Sequence, residues 1–261
     1  MGLAYERHGA GPPLVLLHGV GHRRQAWQSV IGLLAPHRTV IAVDLPGHGE
    51  SPPLTLAGRR PVPAIAEELF AFFGELGLHR PHVAGNSLGG ALALVAGARG
   101  RAATVTALSP AGFWARDWEF GYAKGVFVAG QLFGAAFRPL VPALARRTFG
   151  RAIMDGGFVA RPSLMPASQA VGDVLAFLRA RDTVSAILAD SVSFTEPVPG
   201  DVPVTIAWGA KDRILPPRQA RVAMRQLPGA RFVPLPGCGH VPMTDDPALV
   251  AKVLLDGSAP A

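Results

Sequence analysis

The stretch Val83-Ala84-Gly85-Asn86-Ser87-Leu88-Gly89-Gly90 restricts what this chain can fold into more than any other. It reads as a short apolar strand that breaks at a serine and passes straight into the helix Ala91-Leu92-Ala93-Leu94-Val95-Ala96. A serine at such an apex is held in a cramped backbone conformation. Glycines two residues before and after it remove the β-carbons that would otherwise strike the strand or the helix. The hydroxyl is pushed out of the turn, at the positive end of a helix dipole. Gly-x-Ser-x-Gly also occurs in ordinary turns, so the rest of the chain has to decide between a turn and a nucleophile.

The flanking sequence repeats one rhythm. Residues 2–9 read as a short strand, Leu14-Val15-Leu16-Leu17 as a buried one ending in His18-Gly19-Val20-Gly21-His22, and Thr39-Val40-Ile41-Ala42-Val43 as another ending in Asp44-Leu45-Pro46-Gly47-His48. Continuous apolar runs of this length suit strands covered on both faces of a parallel sheet. Between them lie helical patterns over 25–34 and, after a proline-rich loop, over 64–76, where Ile65, Leu69, Phe72, Phe73 and Leu76 recur at helical spacing. Thr104-Val105-Thr106-Ala107-Leu108 is a further strand. The rhythm resumes at 202–208 and 230–235, with helices over 218–227 and 247–255 and a short frayed tail at 257–261. The fold class is therefore α/β, a doubly wound and mostly parallel sheet, in which chemistry gathers beyond the carboxyl ends of the strands.

From Pro110 to about Val198 the strand rhythm disappears. This stretch is aromatic and amphipathic, with Phe113, Trp114, Trp118, Phe120, Tyr122, Phe127, Phe133 and Phe137, and prolines break it into helices. The expected division is a first core segment 1–110, a helical cap 111–198 over the carboxyl edge of the sheet, and a second core segment 199–261.

Half of the chain is hydrophobic (49%), yet no run is long enough for stable insertion across a bilayer. The N-terminus has no basic-then-apolar signal pattern, and the single Cys238 excludes an internal disulfide framework. Cytoplasm is the expected compartment. The net charge of +7 raises the question of nucleic acid, but all of the 25 basic residues except Lys124, Lys211 and Lys252 are arginines scattered along the chain. No helix interleaves them with aromatic residues, so nucleic acid is not an expected partner. No phosphate-cradling loop and no metal-spaced cluster occurs, so no metal and no cofactor is expected.

Three strand ends offer Ser87, Asp212 and His240, in that order. A serine hydroxyl needs an imidazole to take its proton, and the imidazole needs a carboxylate to fix its tautomer and stabilise its charged form. With LLHGVGHRRQAW (16–27), DLPGHGES (44–51), VAGNSLGG (83–90), WGAKDRILP (208–216) and GCGHVPMTDDP (237–247), the sequence resembles the α/β-hydrolase superfamily, specifically its small lid-bearing serine hydrolases. The resemblance covers nearly the whole chain outside the insertion. It implies Ser87 as nucleophile, Asp212 as acid, His240 as base, and the backbone N–H groups of Val20 and Leu88 as oxyanion hole. It also implies His18, Gly19 and Asn86 beside the substrate, and a helical cap inserted after the sixth strand in the family's numbering. The family's usual leading strand is expected to be missing here. Asp44 is expected to close a turn, and His37, His48, His79 and His82 to be surface or loop residues. His22 is expected at the pocket or in solvent, and Cys238 as a small packing residue.

Serine at position 87, where related dehalogenases and epoxide hydrolases carry aspartate, points to acyl-enzyme chemistry on an ester of a hydrophobic small molecule. Carbon–carbon hydrolysis of a diketone is the alternative within the class, and a low-turnover ligand-binding protein of the same fold the alternative outside it. The oligomeric state is not legible.

Overall fold

The computed structural model describes residues 2–190 and 193–259. Seven strands form one sheet: β1 (Tyr5–His8), β2 (Pro13–Leu17), β3 (Thr39–Val43), β4 (His82–Asn86), β5 (Thr104–Leu108), β6 (Val204–Gly209) and β7 (Arg231–Leu235). Their spatial order is β1-β3-β2-β4-β5-β6-β7. Only β1 runs antiparallel, against β3, and the other neighbours are parallel. The interior strands β3 and β5 are buried at every position, which is why they read as unbroken apolar runs, whereas edge strand β1 alternates exposed and half-buried residues.

The two-residue period of the strands divides the core. Val15, Leu17, Ile41, Val43 and Val83 face the helices α2 (Pro61–Glu75) and α3 (Leu88–Ala98), meeting Leu69, Phe72 and Leu92. Leu14, Leu16, Val40, Ala42 and Ala84 face the opposite layer, where α1 (Gln28–Leu34) packs on α11 (Pro247–Gly257) through Val30, Leu34, Val250 and Leu254. Helix α2 starts at Pro61, earlier than the expected 64. Prolines at its first turn lack only N–H groups that would have no helical partner there. At the other end α11 continues to Gly257, and Ser258 is buried with its carbonyl accepting from Arg38 Nη2 at 2.8 Å. The expected fraying is therefore not seen up to that point, and positions 260–261 lie outside the described residues.

Five helices lie between β5 and β6: α4 (Trp118–Ala136), α5 (Val141–Ala145), α6 (Thr148–Asp155), α7 (Ala167–Arg179) and α8 (Arg181–Ala189). They follow the fifth strand of this chain, which is the sixth only when the family's leading strand is counted. The two crossings between sheet and helices touch: Phe194 N–H donates to Gly112 O at 3.2 Å, and the Phe113 and Phe194 rings pack 5.8 Å apart. Among the described residues no single helix is long and apolar enough to cross a membrane. The remaining helices, α9 (Arg218–Gln226) and the short α10 (Pro242–Asp245), flank the last strands.

Candidate active site

The turn from β4 into α3 places Ser87 at φ +57° and ψ −116°, a region that a non-glycine residue enters only under constraint. The constraint is visible on both sides. A β-carbon at position 85 would overlap the Gly89 carbonyl, and one at position 89 would overlap the carbonyl of Leu17 at the end of β2. Ser87 N–H donates to Leu108 O at 3.0 Å, while Ser87 O accepts from Ala91 N at 3.0 Å and Ala111 N at 3.1 Å. The end of β5 with its following loop and the first turn of α3 therefore hold the strained residue, and its side chain faces a pocket.

Asp212 and His240 meet across the ends of β6 and β7. His240 Nδ1 lies 2.8 Å from Asp212 Oδ2, with both side chains buried. The other Asp212 oxygen accepts from the backbone N–H groups of Ile214 and Leu215, at 2.9 and 2.8 Å. These bonds orient the carboxylate, which accepts a hydrogen bond from Nδ1–H and so leaves Nε2 as the lone-pair nitrogen of the ring. His240 Nε2 is buried and makes no hydrogen bond. No hydrogen bond joins it to Ser87. Asn86, the neighbour of Ser87, ties the two segments by donating from Nδ2 to His240 O at 2.9 Å and to Leu108 O at 3.1 Å.

Asp245 was not singled out by its sequence position. Its buried carboxylate accepts three backbone N–H groups: Gly239 at 2.7 Å, Ala160 at 3.0 Å and Arg161 at 2.6 Å. One side chain thus clamps the residue before His240 to the loop that follows α6.

The loop after β2 is built from the inside. His18 is fully buried, its Nδ1 bonded to Gly19 O at 2.8 Å and its Nε2 accepting Leu45 N–H at 3.0 Å. His48 lies against it, its Nε2 accepting Gly21 N–H at 3.0 Å and its Nδ1 bonded to Pro46 O at 3.0 Å. Burial holds both rings neutral, pushing His18 well below the usual imidazole range and His48 down to about 4. His48, expected as a surface or loop residue, lies in the loop after β3 but is buried there as a brace. Asp44 closes the adjoining turn, accepting Arg24 N–H at 2.6 Å and Glu50 N–H at 3.0 Å and pairing with the Arg24 guanidinium. His22 sits 3.8 Å from Asp173 of α7. Among the described residues the N–H groups of Val20 and Leu88 donate to no protein acceptor.

Ser87 opens on a narrow apolar cavity of about 40 Å³. Val20 and Leu88 flank the serine, Ile214 and Leu215 come from the loop after β6, and Phe120, Phe127, Ile187 and Leu188 descend from α4 and α8. His18, Gly19 and Asn86, expected beside the substrate, do not line this cavity; the His18 and Asn86 side chains bond to backbone, and Gly19 lies against Ser87, where a β-carbon would come within 3.3 Å of the serine's own. Ile187 and Leu188 carried no signal beyond ordinary helical amphipathicity. Burial raises the Cys238 thiol to about 11, so it is no thiolate nucleophile. No group of three or more His, Cys, Asp or Glu among the described residues is placed to hold a metal ion.

Residues 14–253 match the sequence model of the alpha/beta hydrolase family. The chain is 31% identical to an uncharacterized protein of Mycobacterium tuberculosis over 99% of this chain and 79% of that one. It is 30% identical to a pimeloyl-(acyl-carrier protein) methyl ester esterase of Aeromonas hydrophila, over 97% of this chain and 98% of that one. A solved structure of a membrane phospholipase A, described as a bacterial virulence factor, superposes with a TM-score of 0.76 at 26% identity, covering 99% of this chain and 84% of the other.

Proposed function

We propose that this chain, which belongs to the alpha/beta hydrolase family, is a serine esterase that cleaves a hydrophobic carboxylic ester through Ser87, His240 and Asp212. The observation that carries the reading is the buried Asp212–His240 pair, with Nε2 left basic, beside a strained serine at the mouth of an apolar cavity. In the reaction Ser87 Oγ attacks the ester carbonyl carbon and gives its proton to His240 Nε2. Asp212 stabilises the imidazolium so formed. The carbonyl oxygen, now negative, is received by the N–H groups of Val20 and Leu88, one of which would be worth about 10²–10³ in turnover. Collapse expels the alcohol, which takes the proton from His240, and leaves an acyl-Ser87 ester. Water enters, loses a proton to the same nitrogen and attacks the acyl carbon; the bond to Ser87 Oγ then breaks, the proton returns from His240 to Ser87, and the acid leaves.

A cavity of about 40 Å³ is far below the roughly 300–1,000 Å³ that small-molecule sites occupy. We read α4–α8 as a lid that parts from the loop after β6 when substrate enters. Phe120, Phe127, Ile187 and Leu188 would then enclose the acyl group. A methyl ester esterase among the relatives supports ester cleavage.

The test is turnover of p-nitrophenyl esters of increasing acyl length by the wild type and Ser87→Ala. Release that depends on chain length and disappears in the variant supports the reading. If the wild type releases nothing yet its serine is labelled by a fluorophosphonate, the bond cleaved is a different one, with a diketone carbon–carbon bond the next to test. Failure of labelling as well overturns the assignment of Ser87.

A further inference from the structure

Between Phe120 and Met154 the chain carries five basic residues, Lys124, Arg138, Arg146, Arg147 and Arg151, and no Asp or Glu. The same span is a corner. Helix α4 and the segment Arg138–Ala145 that follows it meet at 75°. Its inner side is occupied: Glu119, Ala123 and Phe127 are buried against the body of the protein. Its outer side is apolar and open, with Leu132 63%, Phe133 65%, Phe137 48% and Leu140 53% exposed. Phe149 (76%) and Ile153 (61%), one turn apart on α6, form a second exposed apolar pair. The Phe133 and Phe137 rings stack 6.3 Å apart, so the tip is a preformed apolar knob. Isolated exposed apolar residues are ordinary, but six within one short span are not.

The charges identify what covers it. Lys124, Arg138, Arg146 and Arg147 pair with no acidic group among the described residues, whereas Arg151 is held by Ala145 O and Pro162 O. A second copy meeting the same face across a two-fold axis would bring like charges together. An anionic bilayer instead takes apolar side chains at the acyl boundary and arginines among its headgroups. The sharp bend and the buried side of α4 make the corner lie on such a surface rather than cross it.

We propose that the corner formed by the end of α4, the Arg138–Leu140 turn and α6 docks the protein on anionic lipid bilayers. The proposal stands independently of the bond the enzyme cleaves.

The experiment is sedimentation with vesicles of phosphatidylcholine alone or mixed with phosphatidylglycerol. It uses the wild type and two double variants, Phe133→Ser with Phe137→Ser and Arg146→Glu with Arg147→Glu. Each arginine near an anionic surface contributes about fivefold in partitioning. The wild type is expected to bind mixed vesicles about tenfold or more tightly than neutral ones, with binding lost as salt rises. Either double variant lowers that binding by a similar factor, while release from soluble p-nitrophenyl acetate is unchanged. Absence of wild-type binding to mixed vesicles at low salt overturns the proposal, as does equal binding by the variants. A dimer in light scattering that the phenylalanine variant dissolves also overturns it, assigning the face to a second copy.

Discussion

Replacing Asp245 by Asn tests whether one carboxylate holds the His240 loop in place. Asn has nearly the same shape but only one accepting atom. With that oxygen at the Oδ2 position, the Gly239 and Ala160 bonds survive as neutral ones, and the new amide NH₂ faces Arg161 N–H, now a partly buried donor without an acceptor. Charge-assisted bonds contribute about 1.5–3 kcal/mol and neutral ones about 0.5–1.5, while an orphaned buried donor costs about 1–3. The expected loss for Asp245→Asn is therefore about 3–5 kcal/mol, read as a shift of the urea unfolding midpoint. Under native conditions turnover of a short p-nitrophenyl ester is expected to fall about tenfold to a hundredfold, because His240 follows directly after Gly239 and small misplacements of a catalytic group are expensive. The Michaelis constant should change little, since Asp245 lines no part of the cavity. A variant within about 0.5 kcal/mol of the wild type, with unchanged turnover, would refute the clamp.

Two buried groups tilt stability with pH in opposite senses. Burial, reinforced by the neighbouring Asp173, pushes Asp155 up to about 7, so the native state holds a proton that the unfolded chain has released. Stability from this group is full below pH 4 and falls by about 4 kcal/mol as pH rises to 7; Asp155→Asn removes that slope and should be the more stable protein in urea at pH 8. His48, lowered to about 4 by burial, contributes stability that is present above pH 6.5 and lost by about 3 kcal/mol as pH falls towards 4, so His48→Gln flattens the acid limb measured the same way. Gly89→Ala drives a β-carbon into the Leu17 carbonyl and should give insoluble or unlabelled protein in a fluorophosphonate assay, whereas Gly74→Ala, where a β-carbon meets open space, should stabilise α2 by up to about 1 kcal/mol.

The sheet was legible because its strands are covered on both faces and so read as bare apolar runs. The candidate triad residues were legible because their chemical types fall at strand ends in a telling order. Helix α4 was harder: Gly121, Gly125, Gly130 and Gly134 look like breakers, yet it runs 19 residues. Two of these glycines lie where α7 comes close, with Phe177 against Gly130 and Leu178 against Gly134, a relation that no local pattern announces. The same holds for His48 and Asp245. Their partners are backbone groups 27 and 85 residues away at the farthest, and a polar residue in a glycine- and proline-rich loop looks solvated until those partners are known.

The bond between Phe194 and Gly112 draws the two ends of the helical insert into one neck, while Asp245 holds the insert's inner loop through Ala160 and Arg161. Because loop closure depends only weakly on length, an insert of another length can be joined at these two positions, provided that it returns the two backbone N–H groups that Asp245 accepts. Ser87, Asp212 and His240 lie outside the attachment, while Phe120, Phe127, Ile187 and Leu188 lie within it. The proposed reactive groups and the insert's share of the walls around them can thus be inherited, exchanged or redesigned separately, with the Gly112–Phe194 junction and the Asp245 clamp as the seams.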